Sequence, residues 1–132
     1  MLVVPAGAAV GLHVDATLGP PNGSVIPEAV SVLYLDVADD LAGGRLVLVD
    51  PATDRVVEGA PVVPRANRFV LFAGRLAHEV EAVTSSRPRV SIVCEQYALS
   101  PGVLSAVPRV KVHSRSAFDA VLADVRARGS RS

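Results

Sequence analysis

The sequence has little of the residue types on which several common protein classes depend. It contains one cysteine, Cys94, and only three histidines among 132 residues. A single cysteine cannot form an internal disulfide, so a disulfide-stapled secreted scaffold is excluded. The residues around Cys94 are typical of a strand, which predicts a buried structural thiol and not a nucleophile.

An excess of charge of either sign is also lacking. The formal net charge is zero, which removes the electrostatic basis for binding nucleic acid or an anionic membrane surface. No apolar run reaches the roughly 20 residues of a membrane span. The apolar first twelve residues have no basic start and are broken by Pro5, Gly7 and Gly11, unlike a signal peptide. We therefore predict a soluble, cytoplasmic protein without a nucleic-acid or membrane partner.

What the sequence does have is valine, ten prolines and ten glycines, a mixture that favours short strands and turns over helices. Short apolar runs alternate with turn sequences, and this spacing predicts an all-β sandwich or jelly roll in one domain over residues 1–113. The runs are Met1–Val4, Val30–Val37, Arg45–Val49, Val56–Val63, Phe69–Phe72, His78–Val83, Val90–Tyr97 and Val107–Val112.

The last part of the chain, residues 114–132, has a helical pattern instead. Ser116 and Asp119 form a plausible capping pair, and Gly129 can end the helix. Between Ser116 and Gly129, four apolar residues lie at helical spacing, so we expect this helix to pack on the outside of the sandwich. They are Phe118, Val121, Leu122 and Val125.

The chain begins at a predicted strand, with nothing before it to cover the sheet. We interpret it as a fragment, a truncated gene product or a minimal core. A short N-terminus would leave a β edge exposed, but the sequence does not predict an oligomeric state.

Two of the histidines could hold a metal ion together with a carboxylate. His13 and Asp15 lie two residues apart at a predicted strand end, so both side chains point to one face, about 6–7 Å apart along the backbone. A sandwich can bring His78, on a distant strand, opposite them. Two imidazoles and one carboxylate form the facial triad that holds Fe(II). Taken alone, His13-Val14-Asp15 fits ordinary surface chemistry better than a metal site, and His78 better fits a polar residue at a strand end.

The order of motifs along residues 3–97 resembles the prolyl 4-hydroxylase-like branch of the 2-oxoglutarate/Fe(II) oxygenases. No single motif is decisive, but all of them occur in the order that the family has. They are His13-Val14-Asp15, Val32-Leu33-Tyr34-Leu35, Gly43-Gly44-Arg45-Leu46, Asn67-Arg68-Phe69-Val70-Leu71-Phe72 after Pro64, His78-Glu79-Val80 and Pro88-Arg89-Val90-Ser91-Ile92.

The resemblance implies a double-stranded β-helix, or jelly roll, and a role for six residues. Iron would be ligated by the triad described above. Arg89, with Arg87 as the alternative, would bind the distal carboxylate of 2-oxoglutarate, because a guanidinium meets a carboxylate with two parallel hydrogen bonds. Tyr34 lies where relatives have a tyrosine that contacts the same carboxylate, although a core aromatic is equally consistent. A role for Ser91 near Arg89 has no support from the sequence.

The activity implied by the resemblance is hydroxylation of a C–H bond with Fe(II), 2-oxoglutarate and dioxygen, with ascorbate as reductant. A prolyl residue in a peptide or protein is one candidate substrate. The alternatives are a free amino acid or other small molecule, or a truncated jelly roll that binds without catalysis. Two departures weaken the match, because Val3-Val4-Pro5 replaces a frequent tyrosine and Asp36 a frequent asparagine. Substrate choice would depend on loops such as Thr17–Pro27.

Overall fold

The structure is a computed structural model that describes residues 1–16, 18 and 25–106. This part of the chain is built almost entirely from strands, with one short helix near its end. The elements are β1 (Leu2–Val4), β2 (Val10–His13), β3 (Ala29–Asp36), β4 (Ala42–Gly43), β5 (Leu46–Asp50), β6 (Arg55–Val56), β7 (Phe69–Ala73), β8 (Ala77–Val80), β9 (Val83–Thr84), β10 (Arg89–Gln96) and α1 (Pro101–Ala106).

The strands form two four-stranded sheets and one small two-stranded sheet. The first sheet has the order β1-β10-β3-β7, and the second has the order β2-β8-β5-β6. Strands β4 and β9 pair separately. All of these pairings are antiparallel. The prediction of a β-rich fold is therefore confirmed.

One hydrophobic core joins the inner faces of the two large sheets. In β3 the side chains alternate, so that Val30, Val32 and Tyr34 all point inward and are almost completely buried. Leu46 and Leu48 of β5 meet them from the second sheet. Burial of each such side chain stabilises the fold by about 1.5–3 kcal/mol before entropy is counted. This core fixes the distance between the sheets.

The structure shortens one of the predicted strands. Of the predicted run Val56–Val63, only Val56 lies in a strand, β6 (Arg55–Val56). The chain then turns at Gly59, where φ is +84°, and returns to the sheet through a single bridge between Leu46 and Val62. A left-handed φ interrupts the extended backbone that a continuous strand needs. The apolar pattern alone therefore predicted a strand that is too long.

The prediction that Cys94 is buried is wrong. Cys94 lies in β10, as expected, but it is exposed, because the residues of β10 alternate between the two faces of the sheet. Arg89 and Ser91 point into the molecule and are buried, whereas Ile92 and Cys94 point outward. A strand on one side of a two-sheet structure has only one buried face.

Two predictions fall on residues that the structure does not describe. The helix predicted within 114–132 and the predicted strand Val107–Val112 both lie outside the described residues, so the two-part division at residue 113 stays a prediction. Most of the loop Thr17–Pro27 lies outside them as well. None of the helices in the described ranges combines the length and the apolar character needed to cross a membrane.

Candidate metal centre

The pairing of β2 with β8 places the two histidines side by side. His13, the last residue of β2, is the direct register partner of His78 in β8. Directly opposed residues of an antiparallel pair project from the same face, and the two imidazole centroids lie 4.4 Å apart. Asp15 follows two residues after the strand ends and turns toward both rings.

The three side chains converge on one small volume. The Nε2 atom of His13 lies 3.5 Å from Oδ1 of Asp15, and Nε2 of His78 lies 3.5 Å from Oδ2. One ligand atom from each residue lies within 4.8 Å of the other two. The structure therefore brings together the three residues that the sequence singled out, each with its donor atom facing the same point.

Backbone carbonyls fix which nitrogen of each ring faces this point. Nδ1 of His13 donates to the carbonyl of Gly11 at 2.7 Å, and Nδ1 of His78 donates to that of Leu76 at 3.3 Å. Since a carbonyl can only accept, Nδ1 carries the hydrogen and Nε2 of the neutral ring presents a lone pair. This second hydrogen bond is the usual way in which a metal-binding histidine is oriented.

Two lone pairs and a carboxylate at such short range repel one another unless a cation lies between them. Oδ2 of Asp15 is buried and has no hydrogen-bond partner in the described part of the chain. Its 3.5 Å contact with His78 is no hydrogen bond, because both atoms are acceptors when the ring is neutral. A divalent ion bound by nitrogen and oxygen donors would satisfy all three groups, and this donor set suits Fe(II).

Burial favours the neutral, metal-binding form of His78. Its side chain is 9% exposed, whereas that of His13 is 41% exposed. The edge of Phe72 packs against the His78 ring at a centroid distance of 5.1 Å. This burial lowers the pKa of His78, and it outweighs the opposing effects of the Leu76 carbonyl and the Asp15 carboxylate. At neutral pH the ring therefore has its lone pair free.

The triad opens into a cavity of about 190 Å³ between the two large sheets. Both sheets contribute side chains to its walls, and most of these are aliphatic. The cavity is lined by Leu2, Val10, His13, Asp15, Val30, Val32, Tyr34, Leu46, His78, Val80, Arg89 and Val93.

Arg89 is a buried cation in this cavity. Only 1% of the residue is exposed. Its Nη1 donates to the carbonyl of Gly44 at 2.9 Å, but its Nε has no partner among the described residues. Arg89 also takes part in none of the ion pairs found in the described ranges. Buried charges in proteins are normally paired, so an anionic ligand would complete this site.

Two further polar side chains accompany Arg89. The Oγ of Ser91 is completely buried and unpaired within the described residues, and Ser91 shares the inner face of β10 with Arg89. The Tyr34 ring lies 5.2 Å from the Arg89 guanidinium carbon. Burial raises the pKa of Tyr34 although the Arg89 charge opposes this, so its hydroxyl keeps the proton and can donate.

Arg87, the alternative to Arg89, has a different environment. Its Nη1 lies 2.6 and 2.8 Å from the two carboxylate oxygens of Asp36, and its side chain is half exposed. Arg87 is not among the residues that line the cavity. The structure thus places Arg89, and not Arg87, in the same cavity as the triad.

Two features of the site were missed or left open by the sequence. The sequence did not indicate that the Gly44 carbonyl positions the Arg89 side chain. Ser91 had no assigned role, although its two-residue spacing from Arg89 on one strand was a signal that both face inward. The cavity lining thus holds two potential donors to an anion, Tyr34 and Arg89, whereas Ser91 is not among the residues that line it.

Comparison with known proteins agrees with this geometry. The family model of the 2OG-Fe(II) oxygenase superfamily matches residues 1–94, more than two thirds of the chain, and this range includes every residue of the site. No curated protein matches the chain significantly. The chain belongs to the 2OG-Fe(II) oxygenase superfamily, whose membership implies a dioxygenase that uses Fe(II), 2-oxoglutarate, dioxygen and a further substrate.

Proposed function

We propose that the protein is an Fe(II)- and 2-oxoglutarate-dependent hydroxylase in which His13, Asp15 and His78 ligate the iron. The observation that carries the proposal is the convergence of their three donor atoms within 4.8 Å, in a cavity that also holds the buried cation Arg89. The donor set, the orphaned Asp15 oxygen and the fixed Nδ1 hydrogens all fit a divalent ion.

The same cavity suits the cosubstrate. 2-Oxoglutarate has a carboxylate at each end and two methylene groups between them. Arg89 would bind the distal carboxylate through its unpaired Nε, with Tyr34 donating its hydroxyl hydrogen. The aliphatic walls, such as Val32 and Val80, would contact the methylene groups. Gly44 holds the guanidinium in place, so little side-chain entropy is lost on binding.

The protein residues orient the reactants and exclude water. When bound, Fe(II) and 2-oxoglutarate supply the oxidising power that inserts one oxygen atom of dioxygen into a substrate C–H bond. Asp15 and the two imidazoles would hold the metal through one oxygen and two nitrogen donors. The burial of His78 and Arg89 keeps solvent away from the inner end of the cavity, where a reactive species would otherwise be quenched.

We further propose that the two four-stranded sheets form a double-stranded β-helix and that the chain belongs to the prolyl 4-hydroxylase-like branch. The order of motifs over residues 3–97 supports this branch. A prolyl residue in a peptide or protein is then the proposed substrate. Ascorbate would be the reductant that keeps the iron ferrous, and the proposed location of the protein is the cytoplasm.

The test is a succinate-release assay with Fe(II), ascorbate and 2-oxoglutarate. We expect wild-type protein to release succinate, and proline-containing peptides to raise the rate above that of free proline. His13→Ala should reduce turnover to background, whereas Arg87→Ala, outside the cavity, should retain it. Equal succinate release by wild type and His13→Ala would remove the enzymatic proposal. Stimulation of succinate release by free amino acids but not by peptides would support the proposed enzymatic activity but rule out a prolyl residue in a peptide as the substrate.

A further inference from the structure

The outer face of the first sheet, on the side away from the cavity, is strongly apolar. All four of its strands contribute, and the two largest exposures are those of Phe69 at 61% and Leu71 at 62%, with Val3 at 47% and Leu35 at 42%. We call this surface the outer face. It consists of Val3 from β1, Leu33 and Leu35 from β3, Phe69 and Leu71 from β7, and Ile92 and Cys94 from β10.

The strand register makes the outer face continuous. Ile92 lies directly opposite Leu33, which lies directly opposite Phe69 on the next strand. The adjacent row runs from Cys94 across Ser31 to Leu71. Neither row contains a charged residue. Monomeric proteins rarely leave an apolar patch of more than a few hundred Å² in water, and such patches mark docking surfaces.

We propose that the outer face is the docking site for the C-terminal segment of this same chain, residues 107–132. The sequence of this segment predicts an amphipathic helix, with Phe118, Val121, Leu122 and Val125 along one side. That narrow apolar stripe matches a flat apolar surface. Asp119, Asp124 and Arg126 lie at other angles around the same helix and would stay in solvent.

The position and length of the segment allow this docking. Strand β10 ends at Gln96, which pairs with Ala29, and Ala29 pairs with Ala73 at the same end of the outer face. Helix α1 follows and ends at Ala106, which leaves 132 − 106 = 26 residues. Residues 107–115 can span about 30 Å when extended. This exceeds the roughly 26 Å length of an eight-residue strand, so the predicted helix can reach any part of the outer face.

The single native cysteine provides a direct probe. Cys94 lies in the outer face and is exposed in the described part of the chain, so a docked segment would shield it from a thiol reagent. We expect Cys94 in the full-length wild type to react about tenfold more slowly than in Leu122→Asp, because modification requires local opening of the docked segment. The matched control is Asp124→Asn, which changes the same predicted helix away from its apolar side and should react like wild type.

A cross-linking experiment identifies the occupant independently. A second cysteine is introduced in turn as Phe118→Cys, Val121→Cys, Leu122→Cys and Val125→Cys, with Ala123→Cys as the control on the opposite side of the helix. We expect mild oxidation to give an intramolecular disulfide with Cys94 in at least one of the four variants and not in the control. Unchanged Fe(II) affinity in each variant would show that the rest of the fold is intact.

Two results would overturn the proposal. Equal thiol reactivity in wild type, Leu122→Asp and Asp124→Asn, with no intramolecular cross-link in any of the four variants, would show that the segment does not cover the outer face. Protection of Cys94 that increases with protein concentration, together with a dimer in sedimentation, would show that a second copy of the chain covers it instead.

Discussion

Asp15 has the most constrained environment of the three proposed ligands, because its carboxylate faces two imidazole lone pairs and one of its oxygens is buried without a hydrogen bond. The energetic benefit of a bound cation therefore depends on the Asp15 charge more than on the bulk of the side chain.

We predict that Asp15→Ala lowers the affinity for Fe(II) by at least about 100-fold, or roughly 2.7 kcal/mol. The reason is that the substitution removes the anionic ligand and leaves two neutral imidazoles. Calorimetric titration with Mn(II), a redox-stable substitute, measures the effect. Asp36→Ala is the control, because the Asp36 carboxylate is exposed and pairs with Arg87. Equal affinities in Asp15→Ala and wild type would rule out the proposed ligand set.

Arg89 and Arg87 offer a second comparison between residues of the same type. We predict that Arg89→Met weakens 2-oxoglutarate binding to the metal-loaded protein by roughly 10–100-fold, the loss expected for charge-assisted hydrogen bonds. Arg87→Met should change it less than about twofold, as an exposed ion pair contributes little. Binding isotherms for 2-oxoglutarate measure both effects.

A measurement of stability separates a ligand-binding role of Arg89 from a structural one. Because Arg89 is a buried charge without a carboxylate partner in the described residues, Arg89→Met should leave the unfolding free energy of the ligand-free protein unchanged or raise it. A large fall in that free energy would instead show that Arg89 mainly supports the fold.

The sequence could predict the triad but not the surroundings of the two arginines. His13-Val14-Asp15 and His78 are recognisable because metal ligands need particular residue types at particular spacings. Arg87 and Arg89 are both arginines near one turn, and they differ because β10 begins at Arg89, whereas Arg87 lies outside the strand. The pairing of Arg87 with Asp36 is a contact over 51 residues that no local pattern reveals.

At the scale of elements, the short β4–β9 pair links the Arg89 site to the turn that precedes β5. Gly43 pairs with Val83, and Gly44 supplies the carbonyl that Arg89 contacts. Both glycines have positive φ, +69° and +63°. A Cβ atom on Gly43 would lie 2.2 Å from the carbonyl oxygen of Ala82, a distance that the backbone cannot accommodate.

We predict that Gly43→Ala destabilises the protein by about 2–4 kcal/mol, because left-handed strain of about 1–2 kcal/mol adds to this backbone clash. Gly7→Ala is a matched control, because Gly7 has a φ of +79° but open space around its Cβ position. It should cost only about 1–2 kcal/mol. Urea denaturation of both variants measures the difference, and equal losses would show that the clash is relieved at no cost.

Strands were easier to predict from the sequence than their limits and faces. Runs such as Val30–Val37 and Val90–Tyr97 correspond closely to β3 and β10, because β-branched residues between turn sequences leave few other structures possible. The run Val56–Val63 failed because its turn at Gly59 lies within an apolar stretch. The exposure of Cys94 was missed because the usual alternation is inverted in β10, where polar Arg89 and Ser91 face inward and apolar Ile92 and Cys94 face outward.

At the scale of the whole molecule, the proposed site joins the two large sheets. His13 and His78 come from the second sheet, whereas Tyr34 and Arg89 come from the first. A metal ion alone would connect β2 and β8, which both lie in the second sheet, and the residue Asp15 that follows β2. A dicarboxylate that reaches from the metal to Arg89 would connect both sheets across the cavity.

We predict that Mn(II) and 2-oxoglutarate together stabilise the protein more than Mn(II) alone. At a concentration 100 times its dissociation constant, 2-oxoglutarate should add about 2.7 kcal/mol to the unfolding free energy. Thermal unfolding measures this gain, and amide exchange should slow in β3 and β10 as well as in β8. The control is succinate, which lacks the keto group, and a gain as large with succinate would show that metal chelation is not involved.

The unequal exposure of the two histidines has a consequence for metal exchange. The side chain of His13 is 41% exposed and that of His78 is 9% exposed, so a solute that approaches from water meets the His13 side of the triad first. A chelator such as EDTA would accordingly displace His13 before it can reach the other two ligands. The lifetime of a bound metal would then be set by the opening of a single imidazole at the end of β2, and not by the less exposed Asp15 and His78.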